Sequence, residues 1–119
     1  MFRGFDNENK KWVYGYYTKL VDGIRKYDAI IAEEDGSLVR YYIHDKNTIS
    51  QFTGKLDKNK VKIFDRGRIR FLWENEIALI GKIFYNPDEL RYEIDIENHL
   101  QYTCLSFNIE KMTEIEVLI

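Results

Sequence analysis

Along most of the chain apolar residues recur at every second position, the period at which extended backbone sends successive side chains to opposite faces. The apolar set is dominated by Val, Ile, Tyr, Phe and Trp. This pattern predicts strands nearly throughout. Within residues 11–20, Trp12, Tyr14 and Tyr16 fall on one face and Val13, Gly15 and Tyr17 on the other, with Gly15 marking a bulge or a close backbone approach. Residues 29–33 and 38–43 flank Glu34-Asp35-Gly36, and Asp-Gly between two β-prone runs predicts a hairpin. A turn at residues 57–60 leads into Val61 and Ile63, then into residues 68–73, where Ile69 and Phe71 point one way and Arg68 and Arg70 the other. Asn75-Glu76 turns the chain into residues 77–85, whose unbroken Ile77-Ala78-Leu79-Ile80-Gly81 run predicts a central strand buried on both sides and ended by Asn86-Pro87-Asp88. Residues 91–96, 102–107 and 115–119 supply further strands. Helix is confined to a turn or two at residues 18–27, 88–97 or 108–113.

Many short strands between turns imply a barrel or curled sheet, because closure removes exposed edges. An SH3-like barrel over residues 61–119 fits. Residues 1–60 then form a β-rich subdomain with little core of its own, packed on the barrel or on a neighbouring subunit. The fold class expected is mainly β. At 119 residues the two parts make one compact unit with no room for a separate catalytic domain. A composition 45% hydrophobic, 15% aromatic and 32% charged is too apolar for disorder and too charged for a membrane span. Arg3, Asp6 and Glu8 stand where a signal peptide needs its apolar segment, so the expected compartment is the cytoplasm. Cys104, alone and within a predicted strand, is expected as a small buried apolar residue.

Two segments carry a family resemblance. The opening Phe2-Arg3-Gly4-Phe5-Asp6-Asn7-Glu8-Asn9-Lys10-Lys11-Trp12-Val13-Tyr14-Gly15 and the central Gln51-Phe52-Thr53-Gly54-Lys55-Leu56-Asp57-Lys58-Asn59-Lys60 resemble the two signatures of the YopX family of phage and prophage proteins. In the second signature Gly-Gln-Tyr-Thr-Gly leads through a Lys-Asp-Lys-Asn turn into a strand. Here Ser50 replaces the first Gly, Phe52 the Tyr, and residues 63–69 occupy the strand. The resemblance implies an α+β N-terminal part, an SH3-like C-terminal part and a homo-oligomer; it implies no catalytic residue and no cofactor. It also implies a phage-encoded protein at work in an infected or lysogenic bacterial host.

Net charge is only -2, yet residues 1–70 hold fifteen Lys or Arg against ten Asp or Glu, while residues 71–119 hold three against ten. Positive charge concentrates in residues 55–70. There Arg66 and Arg68 depart from the family pattern, and with Arg70 they recur at spacing two, a spacing that can line one face of a strand unless Gly67 breaks the alternation and leaves Arg68 and Arg70 as the pair. Such planar forks suit phosphate oxygens; the competing readings are a solvated face and salt bridges to the acidic C-terminal half. Nine tyrosines, seven phenylalanines and two tryptophans, several beside basic residues, add stacking surfaces to that charge.

Catalysis finds little support in the residues. His44 and His99 have no His or Cys at metal-ligand spacing, the glycines form no phosphate loop, and no Ser, Cys or Thr sits in a nucleophile elbow. Two binding functions are left. In the first, a non-catalytic homo-oligomer sequesters a nucleotide-derived immune signal, a cyclic ADP-ribose isomer or a cyclic oligonucleotide, as an anti-defence sponge. Arg66, Arg68 and Arg70 take the phosphates and Trp12, Tyr14, Phe84 or Tyr85 stacks on a base. In the second, an SH3-like module binds nucleic acid or a protein partner during phage replication.

Overall fold

The computed structural model describes residues 1–108 and 110–118. It is mainly β, with two principal antiparallel sheets and, among the described residues, no α-helix; none is therefore long and apolar enough to cross a membrane. Contacts divide the chain into two compact units, Met1–Phe52 and Thr53–Ile119.

The first unit is built on β1 (Phe2–Asp6), β2 (Lys11–Asp22), β3 (Arg25–Glu34) and β4 (Ser37–Ile43), ordered β4-β3-β2-β1. The start of β5 (Ser50–Leu56) joins the free side of β1, Ser50 opposite Arg3 and Gln51 opposite Phe2. Three turns shape this unit. Asp6 closes β1 to β2 by accepting from the Glu8 backbone N–H at 3.1 Å and the Asn9 amide at 2.7 Å. Gly23 and Ile24 join β2 to β3, with Asp22 paired to Arg25. Asp35 and Gly36, both at positive φ, join β3 to β4, the two-residue primed turn the Asp-Gly pair predicts. The sheet curls until Gly4 of β1 lies against Ile43 and Ile30, and the curl encloses Val13, Ile30, Ile43 and Ile49 with Phe2, Tyr17 and Tyr41 packed on them.

The second unit holds the rest of β5 beside β6 (Lys62–Phe64), then β7 (Arg68–Trp73), β8 (Ile77–Asn86), β9 (Arg91–Ile96), β10 (Cys104–Ser106) and β11 (Met112–Leu118). The last five make an antiparallel sheet in the order β10-β9-β8-β7-β11. One face carries the core: Ile69, Phe71 and Trp73 of β7, Leu79 and Ile83 of β8, Ile94 and Ile96 of β9, Met112 and Ile115 of β11. Gly81 of β8 lets β9 approach closely, since a Cβ there would stand 2.4 Å from Ile94 Cγ2.

Four expectations need correction. No closed barrel is found among the described residues: β10 is only three residues long and the outer side of β11 meets the turn at residues 57–58, so the two edges are not joined. Strand β8 is central, as its apolar run predicts, but is buried on one face only, with Ala78 and Lys82 exposed on the other. The three candidate helical stretches are not helical where described. Residues 18–27 form the β2–β3 hairpin, residues 88–97 a turn and β9, and the described part of 108–113 a turn entering β11. Among the described residues the one helical element is a 3₁₀ turn at Lys46–Thr48, with the Asn47 N–H met by the Asp45 side chain. Finally, Cys104 is exposed. It lies on the outer face of edge strand β10, opposite Asp95, so alternation turns it away from the core. Partial burial and the charges of Glu93 and Asp95 push its thiol above the ordinary range.

Candidate functional site

The arginine row of the second unit is largely spent within the fold. Arg66 sits outside the strand, in the β6–β7 turn with φ of 66°, where its N–H donates to the Ile83 carbonyl at 2.7 Å. Arg68 and Arg70 do share the outer face of β7. Arg68 grips Glu97 through Nε at 3.0 and 3.1 Å and Nη2 at 2.8 Å, and Arg70 Nη2 meets Glu116 at 2.6 Å. Lys58 adds to Glu116 from 3.6 Å. These contacts hold both carboxylates below their usual range, with Arg68 the leading cause for Glu97 and Arg70 for Glu116. Positive charge from the 55–70 segment thus meets negative charge from the acidic C-terminal half. On the same outer face Lys82 stands opposite Arg68 and Asp95 opposite Lys82, while Glu93 is held low by the Asn86 amide and then by Arg91. Phe84 is half-buried opposite Glu93, and Tyr85 packs edge-on against Tyr92 at 5.2 Å.

The other two predicted ring residues, Trp12 and Tyr14, belong to the first unit, and there the register assembles a different surface. Residues of β2 at even positions face away from the core formed by Val13 and Tyr17. Trp12, Tyr14 and Tyr16 are accordingly 41%, 43% and 76% exposed. Pairing extends this face sideways: Phe5 and Arg3 of β1 stand opposite Trp12 and Tyr14, and Ile31 of β3 and Arg40 of β4 lie in line with Tyr16. The Arg3 guanidinium lies 4.4 Å from the centre of the Trp12 ring, and its Nε donates to Ser50 Oγ at 3.2 Å. Phe5 packs edge-on against Trp12 at 5.4 Å.

Two concavities open on this face. One, of about 350 Å³, is lined by Tyr14, Gly15, Tyr16, Ile31, Glu33 and Leu38 with Met1 at its rim. Its floor exists because Gly15 has no side chain: a Cβ there would stand 2.1 Å from the Ile31 carbonyl oxygen, so β2 and β3 pinch together. The close backbone approach expected at Gly15 is what the structure shows. The other concavity, of about 500 Å³, is lined by Leu20, Val21, Asp22, Tyr27, Arg40 and Tyr42. Tyr27 and Tyr42 meet edge-on at 5.7 Å, and Arg40 Nη1 donates to the Tyr42 hydroxyl at 3.4 Å. Flat apolar walls with a few polar groups at their rims suit ring-bearing ligands. Tyr16, Glu33, Leu38 and Arg40 were not among the sequence-predicted site residues. Tyr16 shares the parity of Trp12 and Tyr14, and Arg40 adjoins Tyr41-Tyr42, so part of the signal was present; the rest depends on which strands pair.

Both family-like segments serve architecture, and the first also supplies Arg3, Trp12 and Tyr14 to the aromatic face. The first is the β1–β2 hairpin anchored by Asp6. In the second, Asp57 is only 5% exposed and accepts from the backbone N–H groups of Asn59 and Val61 at 2.8 Å each and of Val117 at 2.9 Å. The Lys58 N–H donates to the Ile115 carbonyl at 2.8 Å, so the turn is stitched to β11. Burial alone would raise the Asp57 carboxyl, but the N–H groups of Val117, Val61 and Asn59 outweigh it and hold it below the ordinary value. His99 also serves locally, Nδ1 accepting from the N–H groups of Gln101 and Tyr102. Among the described residues no group of three or more His, Cys, Asp or Glu is placed to hold a metal.

The fold and this face define a mainly β protein with two antiparallel units and an open aromatic surface. The chain belongs to the YopX family, whose family model, described as YopX protein, matches residues 1–118. No curated protein and no solved structure matches it significantly.

Proposed function

We propose that this YopX-family chain is a non-catalytic binding protein that captures a small nucleotide-derived molecule on the aromatic face of its first unit. The observation carrying this reading is the open row of Trp12, Tyr14 and Tyr16, flanked by Arg3 and Arg40 and by both concavities. Aromatic faces stack on bases at about 1–3 kcal/mol each, and guanidinium groups beside them favour phosphates. The Arg68–Glu97 and Arg70–Glu116 pairs favour this face over the arginine row, because a phosphate on that row has to compete with carboxylates already in place. In a phage-infected or lysogenic bacterium such a captor would act in the cytoplasm as an anti-defence sponge for a cyclic ADP-ribose isomer or cyclic oligonucleotide. It would work as a homo-oligomer, with the open sheet of the second unit in the place of the SH3-like half.

Titration calorimetry with a panel of cyclic ADP-ribose isomers and cyclic di- and trinucleotides tests this. Heat of binding from at least one member, with affinity weakened about tenfold in Tyr16→Ala and unaffected by Arg68→Ala, is the expected result; no heat from any member rejects the proposal. A second reading, binding of single-stranded nucleic acid, draws on the same three rings, which follow one strand in a row. Retention of a single-stranded oligonucleotide that falls steeply with salt, with no affinity for the cyclic panel, would favour it.

A further inference from the structure

The smaller concavity has a chemistry more specific than ring stacking. Tyr14 and Tyr16 stand two residues apart on β2, and strand geometry spaces such neighbours by about 6.8 Å, twice the roughly 3.4 Å at which bases stack in a duplex. One flat ring therefore fits between two tyrosines set at this spacing. The pinch at Gly15 and the Ile31 side supply a floor, and Leu38, paired with Glu33 across β3 and β4, supplies an apolar wall. Glu33 is the one acidic side chain lining the concavity, it is exposed, and among the described residues its carboxylate has no hydrogen-bond or ion-pair partner.

A carboxylate offers two acceptor oxygens in a plane and no donor. On their pairing edges adenine and cytosine set a ring nitrogen lone pair beside the amine, and uracil sets carbonyl oxygens on both sides of its single N–H. Each of these turns an acceptor toward the carboxylate. Guanine instead presents two adjacent donors, the ring N1–H and the exocyclic amine, which match the two oxygens. Resting on the capture reading above, we infer that this concavity is a guanine site: Tyr14 and Tyr16 stack on the base and Glu33 accepts from its two donors. Within the cyclic panel, guanine-bearing members then bind best.

The test is calorimetric titration of the whole chain with guanosine 5′-monophosphate and adenosine 5′-monophosphate, in wild type, Glu33→Gln and Tyr16→Ala. Both side chains are exposed, and unchanged circular dichroism and melting confirm that the variants fold. Wild type should prefer the guanine nucleotide about tenfold, the scale of a charge-assisted pair open to solvent. Glu33→Gln should lose that preference and keep its adenine affinity, and Tyr16→Ala should weaken both nucleotides about tenfold. Equal affinities in wild type, or a guanine preference that survives Glu33→Gln, overturn the guanine assignment and leave ring capture standing. Absence of binding by either nucleotide also overturns it, and the cyclic panel then decides the capture reading on its own.

Discussion

Gly15 and Asp57 show how much single positions carry here. A methyl group at Gly15 meets the Ile31 carbonyl oxygen at 2.1 Å, backbone that cannot rotate away, so Gly15→Ala must part β2 from β3. We expect a loss of about 1–3 kcal/mol in chemical unfolding, together with loss of ring binding in the smaller concavity. Removing the Asp57 carboxylate orphans three N–H groups, and Asp57→Ala should cost about 3 kcal/mol. The same carboxylate sets a pH dependence. Its folded pKa lies below the reference value of 3.8, so the folded state favours the charged form. The stabilisation is full above about pH 4 and is lost as pH falls through the lower folded value. Asp6 acts in the same sense: burial opposes ionisation, and the Asn9 amide and the N–H groups of Glu8 and Asn9 outweigh it. Thermal melts from pH 2 to 6 should show wild-type stability falling in acid, with a shallower fall in Asp57→Asn.

At the level of elements, what is exposed depends on alternation and on neighbours. Cys104 sits in an apolar-looking run, yet edge position and parity turn it outward. It should be alkylated in the native protein by iodoacetamide, slowly near neutral pH and faster as pH rises, because its thiol is held above the ordinary range. Mass spectrometry reads the rate; a thiol that reacts only after unfolding would contradict the exposed placement. Strand positions, the Asp35-Gly36 hairpin and the two-faced character of β7 were legible in the sequence because period two and turn chemistry are local signals. The exposed face of β8 was not legible. Ile77 to Gly81 reads as uniformly apolar, and only the partner strands decide that Ala78 faces outward. The aromatic face was half legible: the parity of Trp12, Tyr14 and Tyr16 is local, whereas the company of Arg3, Glu33, Leu38 and Arg40 comes from register between strands. The arginine spacing was equally visible, but spacing cannot tell a phosphate cradle from a set of ion pairs.

Over the whole molecule, the charge asymmetry is absorbed within the second unit. Lys58, Arg68 and Arg70 from the basic stretch meet Glu97, Glu114 and Glu116 from the acidic half. With net charge of -2 and these cations already engaged, duplex DNA should not be retained at about 0.15 M salt in a mobility-shift titration. A duplex shift that Arg68→Ala and Arg70→Ala abolish would show that the ion pairs yield to phosphate after all.

The stitch between the Asp57 turn and β11 bears on how kinship among such chains is read. Because that aspartate's oxygens are occupied by main-chain donors, a sequence sharing the Asp-Lys-Asn stretch inherits a fastening for its last strand, and the stretch carries nothing about cargo. Differences in what such chains hold would then be sought at Tyr16, Glu33 and Leu38, which lie outside both signatures.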